Sequence, residues 1–317
     1  MKHTVKITIL ILAMFVLTQF IGLYVIHLNP FTVQQTVNQT VQNVPNSYLN
    51  WINPPQAQTQ SDFASYFTSL IIAFVIAIAL LFLLMKFKVS MILRIWFFAV
   101  VTIALLLSLI AFSKLLPGIN EGTIFAVCLA VALALAFAKM YGRNTIVHNL
   151  TELLIYPGIA AIFVPILNVW TVIALLLIIS VYDIWAVWHS GIMQRMAKYQ
   201  INTLNIFSGF FVPYVSKTMR SQIKTWKKKL SRAQLRKKKI KVNVAILGGG
   251  DIVFPIITAG VMFNALGPFA AIFVIVGATC GLSYLFFIAE KKKFYPAMPF
   301  ITAGILAAIL FSYLVLP

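Results

Sequence analysis

Residues 246–255 read ILGGGDIVFP. The stretch breaks into an apolar run that otherwise has the length and composition of a membrane-spanning helix. Each glycine weakens a helix by about 1 kcal/mol relative to alanine. A carboxylate inside a bilayer costs at least about 2.5 kcal/mol. A span that carries both liabilities side by side marks Asp251 as a functional candidate.

Outward from this stretch the chain keeps the same character. Of 317 residues, 61% are hydrophobic and only 10% are charged, where a soluble domain has about 25% charged. Apolar runs of about 20 residues recur, each long enough to cross a hydrocarbon core as a helix. Nine spans are expected, at 5–27, 64–85, 91–113, 122–140, 149–166, 168–189, 244–265, 267–289 and 295–316. The fifth and sixth are separated only by the break from Pro165 to Asn168. The run 5–27 is too long for a signal-peptide core and no small-residue cleavage site follows it, so it reads as a retained helix. The expected fold is an all-α polytopic membrane protein with nine transmembrane helices.

The net charge of +19 points to a membrane rather than to nucleic acid, because of where the charge lies. With nine spans, Lys2, Lys6, Lys86, Lys88, Arg94, Lys139, Arg143 and Lys291 to Lys293 share one side. So do the fourteen Lys and Arg residues between Arg195 and Lys241, and of 25 basic residues only Lys114 falls opposite. The positive-inside rule then gives a cytoplasmic N-terminus and an extracytoplasmic C-terminus, in the cell membrane.

Three regions follow. Residues 1–189 form a six-helix region with a long outer loop, 28–63, rich in Gln, Asn, Thr and Pro, without Lys or Arg, and read as loosely ordered. Residues 190–243 form a cytoplasmic basic loop, and 244–317 a three-helix region. The basic segment 217–241 suits anionic headgroups. The apolar island 205–215 is too short to span and is expected at the interface or docked on the bundle. A sequon at Asn38-Gln39-Thr40 is a weak signal. The echo between Pro255-Ile-Ile-Thr-Ala-Gly260 and Pro299-Phe-Ile-Thr-Ala-Gly304 reads as helix packing. Cys128 and Cys280 fall mid-membrane and read as small packing residues, not as a disulfide or thiolate site.

Only six acidic residues exist, so each can be placed. Asp62 and Glu121 belong to outer loops and Glu290 to the inner loop EKKK. Glu152, near the inner end of the fifth span, is within reach of Lys139 and Arg143 and reads as a structural salt bridge. Asp183, in SVYDIWAVWHS, and Asp251 remain, both inside apolar helices. At 1.5 Å per residue, Asp183 lies about 9 Å and Asp251 about 12 Å inside the same boundary. Two acids at matched depth on consecutive helices can face each other. Facing carboxylates out of water share one proton. The ionised partner can take a proton from water while the protonated one polarises a carbonyl, the acid–base division of an aspartic protease. Gly248 to Gly250 would let the sixth helix come close and loosen the backbone for water and an extended substrate.

Other chemistries find little here. There is no HExxH, and His3, His27, His148 and His189 are scattered, so no metal or other cofactor is expected. No GxSG occurs, and GGGD lacks the GK[ST] of a phosphate loop.

Tyr182-Asp183, Gly248-Gly249-Gly250-Asp251 and Pro296-Ala297-Met298-Pro299 resemble, in order, the YD, GxGD and PAL motifs of the presenilin and signal peptide peptidase family. That resemblance implies a nine-helix intramembrane aspartyl protease acting on transmembrane-helix protein substrates in the lipid bilayer, with Asp183 and Asp251 as the catalytic dyad. It implies that Tyr182, Gly248 and Gly250 support the site, and that Pro296, Ala297 and Met298 pack beside it and help admit substrate. Tyr182 itself is expected to pack or hydrogen-bond near the dyad. Met298 stands where leucine is usual, a volume-conserving departure. The cytoplasmic N-terminus matches presenilins rather than the inverted signal peptide peptidases, so substrates with their N-termini outside are expected. The family also implies a substrate strand beside the seventh helix. Residues 241–246, KVNVAI, have the alternation for that role, though an ordinary helix start fits equally well. Prepilin peptidases share GxGD, but a lysine usually follows there, and here Ile252 does. The other class considered is a proton- or cation-coupled transporter or channel using the same two aspartates.

Overall fold

The computed structural model describes residues 5–37, 40–87, 90–116, 118–142, 144–189, 208–214, 243–289 and 295–316. Among them are nine helices long and apolar enough to cross a membrane, and the protein is a multi-pass membrane protein. In chain order these are α1 (Val5–Leu28), α2 (Gln60–Lys86), α3 (Ser90–Ser113), α4 (Glu121–Tyr141), α5 (Thr145–Phe163), α6 (Val169–Trp188), α7 (Gly249–Leu266), α8 (Pro268–Ile288) and α9 (Met298–Val315). The break expected from Pro165 to Asn168 is a 3-10 turn, Val164–Ile166, followed by a capping box. Asn168 accepts the N–H of Thr171 at 2.9 Å and restarts the helix.

Two segments depart from the expected pattern. Residues 28–63 carry more order than their polar composition implies. Strands β1 (Thr32–Val37) and β2 (Thr40–Pro45) pair antiparallel, and a 3-10 turn follows at Ser47–Leu49, with Leu49 fully buried. The Lys114 ammonium donates to the carbonyls of Leu28 and Asn29 at 2.7 and 2.6 Å. It thereby satisfies carbonyls left open at the end of α1, which gives Lys114 a structural role. Asn38 and Gln39 of the sequon lie outside the described residues.

The second departure precedes α7. The seventh helix begins at Gly249, not near 244; residues Asn243–Gly248 form strand β4. The β-branched Val244 and Ile246 suit an extended chain, and glycines weaken any extension of the helix towards the N-terminal side. The partner of β4 is the chain's own β3 (Gly209–Tyr214), paired antiparallel from Gly209↔Gly248 to Tyr214↔Asn243. The apolar island thus docks on the bundle through 209–214, with Phe210 fully buried. The basic run 217–241, Glu290 and Lys291 to Lys293 lie outside the described residues.

One apolar core joins α1, α5, α6, α7, α8 and α9; a second joins the far end of α1 to α3, α4 and α5. Helix α5 belongs to both. Helices α8 and α9 touch backbone to backbone, since a Cβ on Gly304 would run into the carbonyl of Gly277. Helix α2 lies at the periphery, held to α6 by Phe74 against Tyr182, and to its N-cap by Gln60 accepting from Asn168 at 2.9 Å. Cys128 is buried, but Cys280 is exposed; that side chain therefore faces outward instead of packing. Asp62 and Glu121 sit in the first turns of α2 and α4, where a helix dipole favours them.

Candidate active site

Asp183 lies five residues before the end of α6, and its carboxyl points at the start of α9. Its Oδ2 accepts the N–H of Met298 at 3.0 Å, and the N–H of Ala297 also donates to it. These are amides that the first turn of a helix leaves without intrahelical partners. The motif that begins at Pro296 thus meets Asp183 through main chain. Pro296 and Met298 are buried and Ala297 is half-buried. One turn along, Ser180 of α6 donates to Thr302 of α9 at 2.8 Å in a buried pair that holds the two helices in register.

Asp251 stands in the first turn of α7. Gly248, the last residue of β4 and the N-cap of α7, donates its N–H to the Asp251 carboxyl. The Asp183 and Asp251 carboxyls lie close enough for their charges to interact. Asp251 reaches that range by a route other than the helical rise expected from the sequence. Residues 243–248 are strand rather than helix, and Asp251 is the third residue of α7.

A profile of the family described as signal-peptide peptidase, presenilin aspartyl protease matches residues 41–316. The chain belongs to that family. Its members are intramembrane aspartyl proteases, and this chain is an intramembrane aspartic endopeptidase. The fold agrees with solved structures of a presenilin family intramembrane aspartate protease. One, in a C222 crystal form, superposes with a TM-score of 0.57 at 14% identity over 97% of this chain and 99% of that one. Another, in a P2 crystal form, gives 0.54 at 16% identity over 96% of each chain. No curated protein matches the chain.

Around the candidate site the glycines divide their work differently from the expectation. A Cβ at Gly250 would make only an ordinary contact, 3.7 Å from Phe254. A Cβ at Gly248 would lie 3.2 Å from Asp251 Oδ2, crowding the carboxyl. The middle glycine is the one that sterics demand. A Cβ at Gly249 would lie 2.8 Å from the Tyr156 hydroxyl and 2.9 Å from Ser208 Oγ. The close approach is therefore to Tyr156 on α5, and not to α6 as the sequence implied. Tyr182 packs, edge-on to Phe74 of α2 at 6.2 Å and tilted against Trp185 at 6.4 Å.

Two residues that the sequence left unremarked, Tyr156 and Gln19, also shape the site, and Glu152 does more than the salt bridge expected of it. Tyr156 is fully buried beneath Gly249, and its hydroxyl lies 3.5 Å from Ser208 Oγ. Gln19, fully buried on α1, donates to the Ile252 carbonyl at 3.1 Å and ties the first turn of α7 to α1. Glu152 is paired with Lys139 as expected, but it also accepts the N–H of Gly209 at 3.2 Å. A buried Gln or Glu in an apolar helix was the available signal; Tyr156 gave none, since an aromatic in a span reads as packing.

Proposed function

We propose that the protein hydrolyses peptide bonds within the membrane-spanning segments of single-pass proteins, with Asp183 and Asp251 as the catalytic pair. The observation that carries this reading is that the two carboxyls, on consecutive helices, lie within range of each other's charge and are each held by main-chain N–H donors. One carboxylate takes a proton from water as the water oxygen attacks the scissile carbonyl carbon. The other carboxyl gives its proton to the carbonyl oxygen, forming a neutral gem-diol intermediate. Proton transfer to the amide nitrogen then lets the C–N bond break, releasing an amine and an acid and returning one proton to the pair.

The substrate must be extended at the cut, because helical carbonyls are hydrogen-bonded and hidden. Strand β4 ends at the N-cap of α7 and leads directly to Asp251, so a substrate strand along β4 would bring its next residues to the carboxyls. Pro296, Ala297 and Met298 border that approach. The lysine and arginine distribution supports a cytoplasmic N-terminus, an extracytoplasmic C-terminus and residence in the cell membrane. Substrates would then enter with their N-termini outside. The basic segment 217–241 would rest on anionic headgroups. The six helices of 1–189, the loop 190–243 and the three helices of 244–317 would act together, since the dyad draws one carboxyl from each helical region.

Reconstitution with a single-pass reporter in liposomes tests this reading. Two fragments cut inside the span are expected, and a hydroxyl-bearing transition-state mimic should block their formation. Proton or cation flux without fragments would support the transporter class instead, which family membership does not favour.

A further inference from the structure

The two edges of the β3–β4 hairpin are treated differently, and α5 accounts for the difference. On β3, the Gly209 N–H donates to Glu152 Oε1 at 3.2 Å, and the Gly209 carbonyl accepts from His148 Nε2 at 2.9 Å. Two residues on, the Phe211 N–H donates to Asn149 Oδ1 at 3.0 Å, and its carbonyl accepts from Asn149 Nδ2 at 2.9 Å. Residues two apart in a strand point their main-chain groups to the same edge. Positions 209 and 211 therefore present theirs to α5, away from β4. The next position on that edge is Pro213, which has no N–H to offer. The α5 side chains thus stand in for a neighbouring strand.

By the same alternation, 210, 212 and 214 exchange bonds with 247, 245 and 243 of β4. Val244, Ile246 and Gly248 then point theirs to the opposite edge. That edge ends at the Gly248 N–H, which already donates to Asp251. Among the described residues the sheet has two strands only, and Ile246 is 44% exposed. An edge with unpaired N–H and C=O groups is a template for another strand.

We propose that His148, Asn149 and Glu152 of α5 are positioning residues that close the outer edge of β3, so that an extended substrate pairs with β4 in one register. Their spacing fits this role, because 148 and 152 share a helix face and 149 lies three residues from 152. Lys139 makes the burial of Glu152 tolerable. Its ammonium pairs with Glu152 and lies 3.4 Å from His148 Nδ1, which leaves Nε2 as the nitrogen that donates to Gly209. Register matters because a slip of one residue moves a different peptide bond to the carboxyls.

This inference rests on the proteolytic reading, and its test separates the two. With the reconstituted full chain and the single-pass reporter, Asn149→Leu removes both bonds to Phe211 at similar volume. The expected result is a KM raised about tenfold, as for the loss of one to two hydrogen bonds, with cuts spread over neighbouring bonds and kcat nearly unchanged. Leu150→Ala, on the exposed side of α5, should leave the cut position alone. A single cut site and an unchanged KM in Asn149→Leu would overturn the clamp. So would a loss confined to the active fraction, the mark of a role in stability alone.

Amide hydrogen exchange of the wild-type protein supplies an arm that needs no variant and no activity. The Phe211 amide should exchange far more slowly than that of Ile246, despite lying on the outer edge of the hairpin. Equal rates would overturn the clamp even if Asn149→Leu failed to fold. Absence of cleavage by wild-type protein would instead strike the proteolytic reading and leave the exchange result to decide the clamp.

Discussion

Asp183 receives its hydrogen bonds from a distant region of the chain, the amides of Ala297 and Met298 at the start of α9, whereas Asp251 receives its from Gly248, three residues before it. Behind Asp183 stands helix packing, with α6 and α9 tied by Ser180 and Thr302. Behind Asp251 stands a strand-to-helix turn wedged against Tyr156 of α5 and tied to α1 by Gln19. A carboxyl set by helix packing can shift gradually as the helices shift. One set by a turn in contact with a buried ring has nowhere to go. Damage to the support of Asp251 should therefore be abrupt, and damage to the support of Asp183 graded.

The largest effect short of removing a carboxyl is expected at Gly249. Gly249→Ala places a Cβ against the buried Tyr156 ring and displaces the Asp251 turn, lowering kcat/KM about a hundredfold, as small misplacements of a reacting group do. Adding Tyr156→Phe should recover some of the rate, because the hydroxyl contact is gone while a ring carbon at 2.9 Å remains. Full activity in Gly249→Ala alone would show that the turn is softer than its packing implies.

A smaller effect is expected at Gln19. Its Oε1 is buried and has no hydrogen-bond partner among the described residues. Gln19→Leu removes this unpaired atom together with the bond to Ile252, so thermal stability should change little. Cleavage should fall about tenfold, the equivalent of one good hydrogen bond, because α7 loses its tether to α1. A large fall in Tm with proportionate loss of activity would mark Gln19 as structural only.

The Asp183 side should yield less. Thr302→Val leaves the Ser180 hydroxyl without its partner, at a cost of about 1 kcal/mol, and should slow cleavage about threefold. The double variant with Ser180→Ala should be milder than the sum of the singles, since removing both partners is nearly neutral. Additive losses would separate the pair from the placement of Asp183. Met298→Leu should change cleavage less than about twofold, because the main-chain N–H and not the side chain meets Asp183, and the volumes match.

The same contrast shows what was legible in the sequence. Long apolar runs placed all nine helices, with ends off by up to five residues, as at the start of α7, because span length is a local property of composition. The two aspartates stood out because a carboxylate in such a run is costly. The meeting of Pro296 to Met298 with Asp183 followed from resemblance, and the hydrogen bonds from the start of α9 give it a physical cause. The β3–β4 pair was harder, since a strand is defined by its partner and this one joins 209–214 to 243–248, far apart in the sequence. Asn149 and Tyr156 look like ordinary members of a span until the strand they hold is in place. GGGD showed that something came close; only the packing of Tyr156 against Gly249 showed which glycine and from which helix.

Cleavage by single-carboxamide variants tests the central claim most directly. Asp183→Asn and Asp251→Asn keep the shape of each side chain and remove its ability to exchange a proton. In liposomes with the single-pass reporter, each variant alone should reduce cleavage to background while the wild-type protein yields two fragments. Wild-type rates in either variant would contradict the account, because one carboxyl would then be doing the work assigned to two.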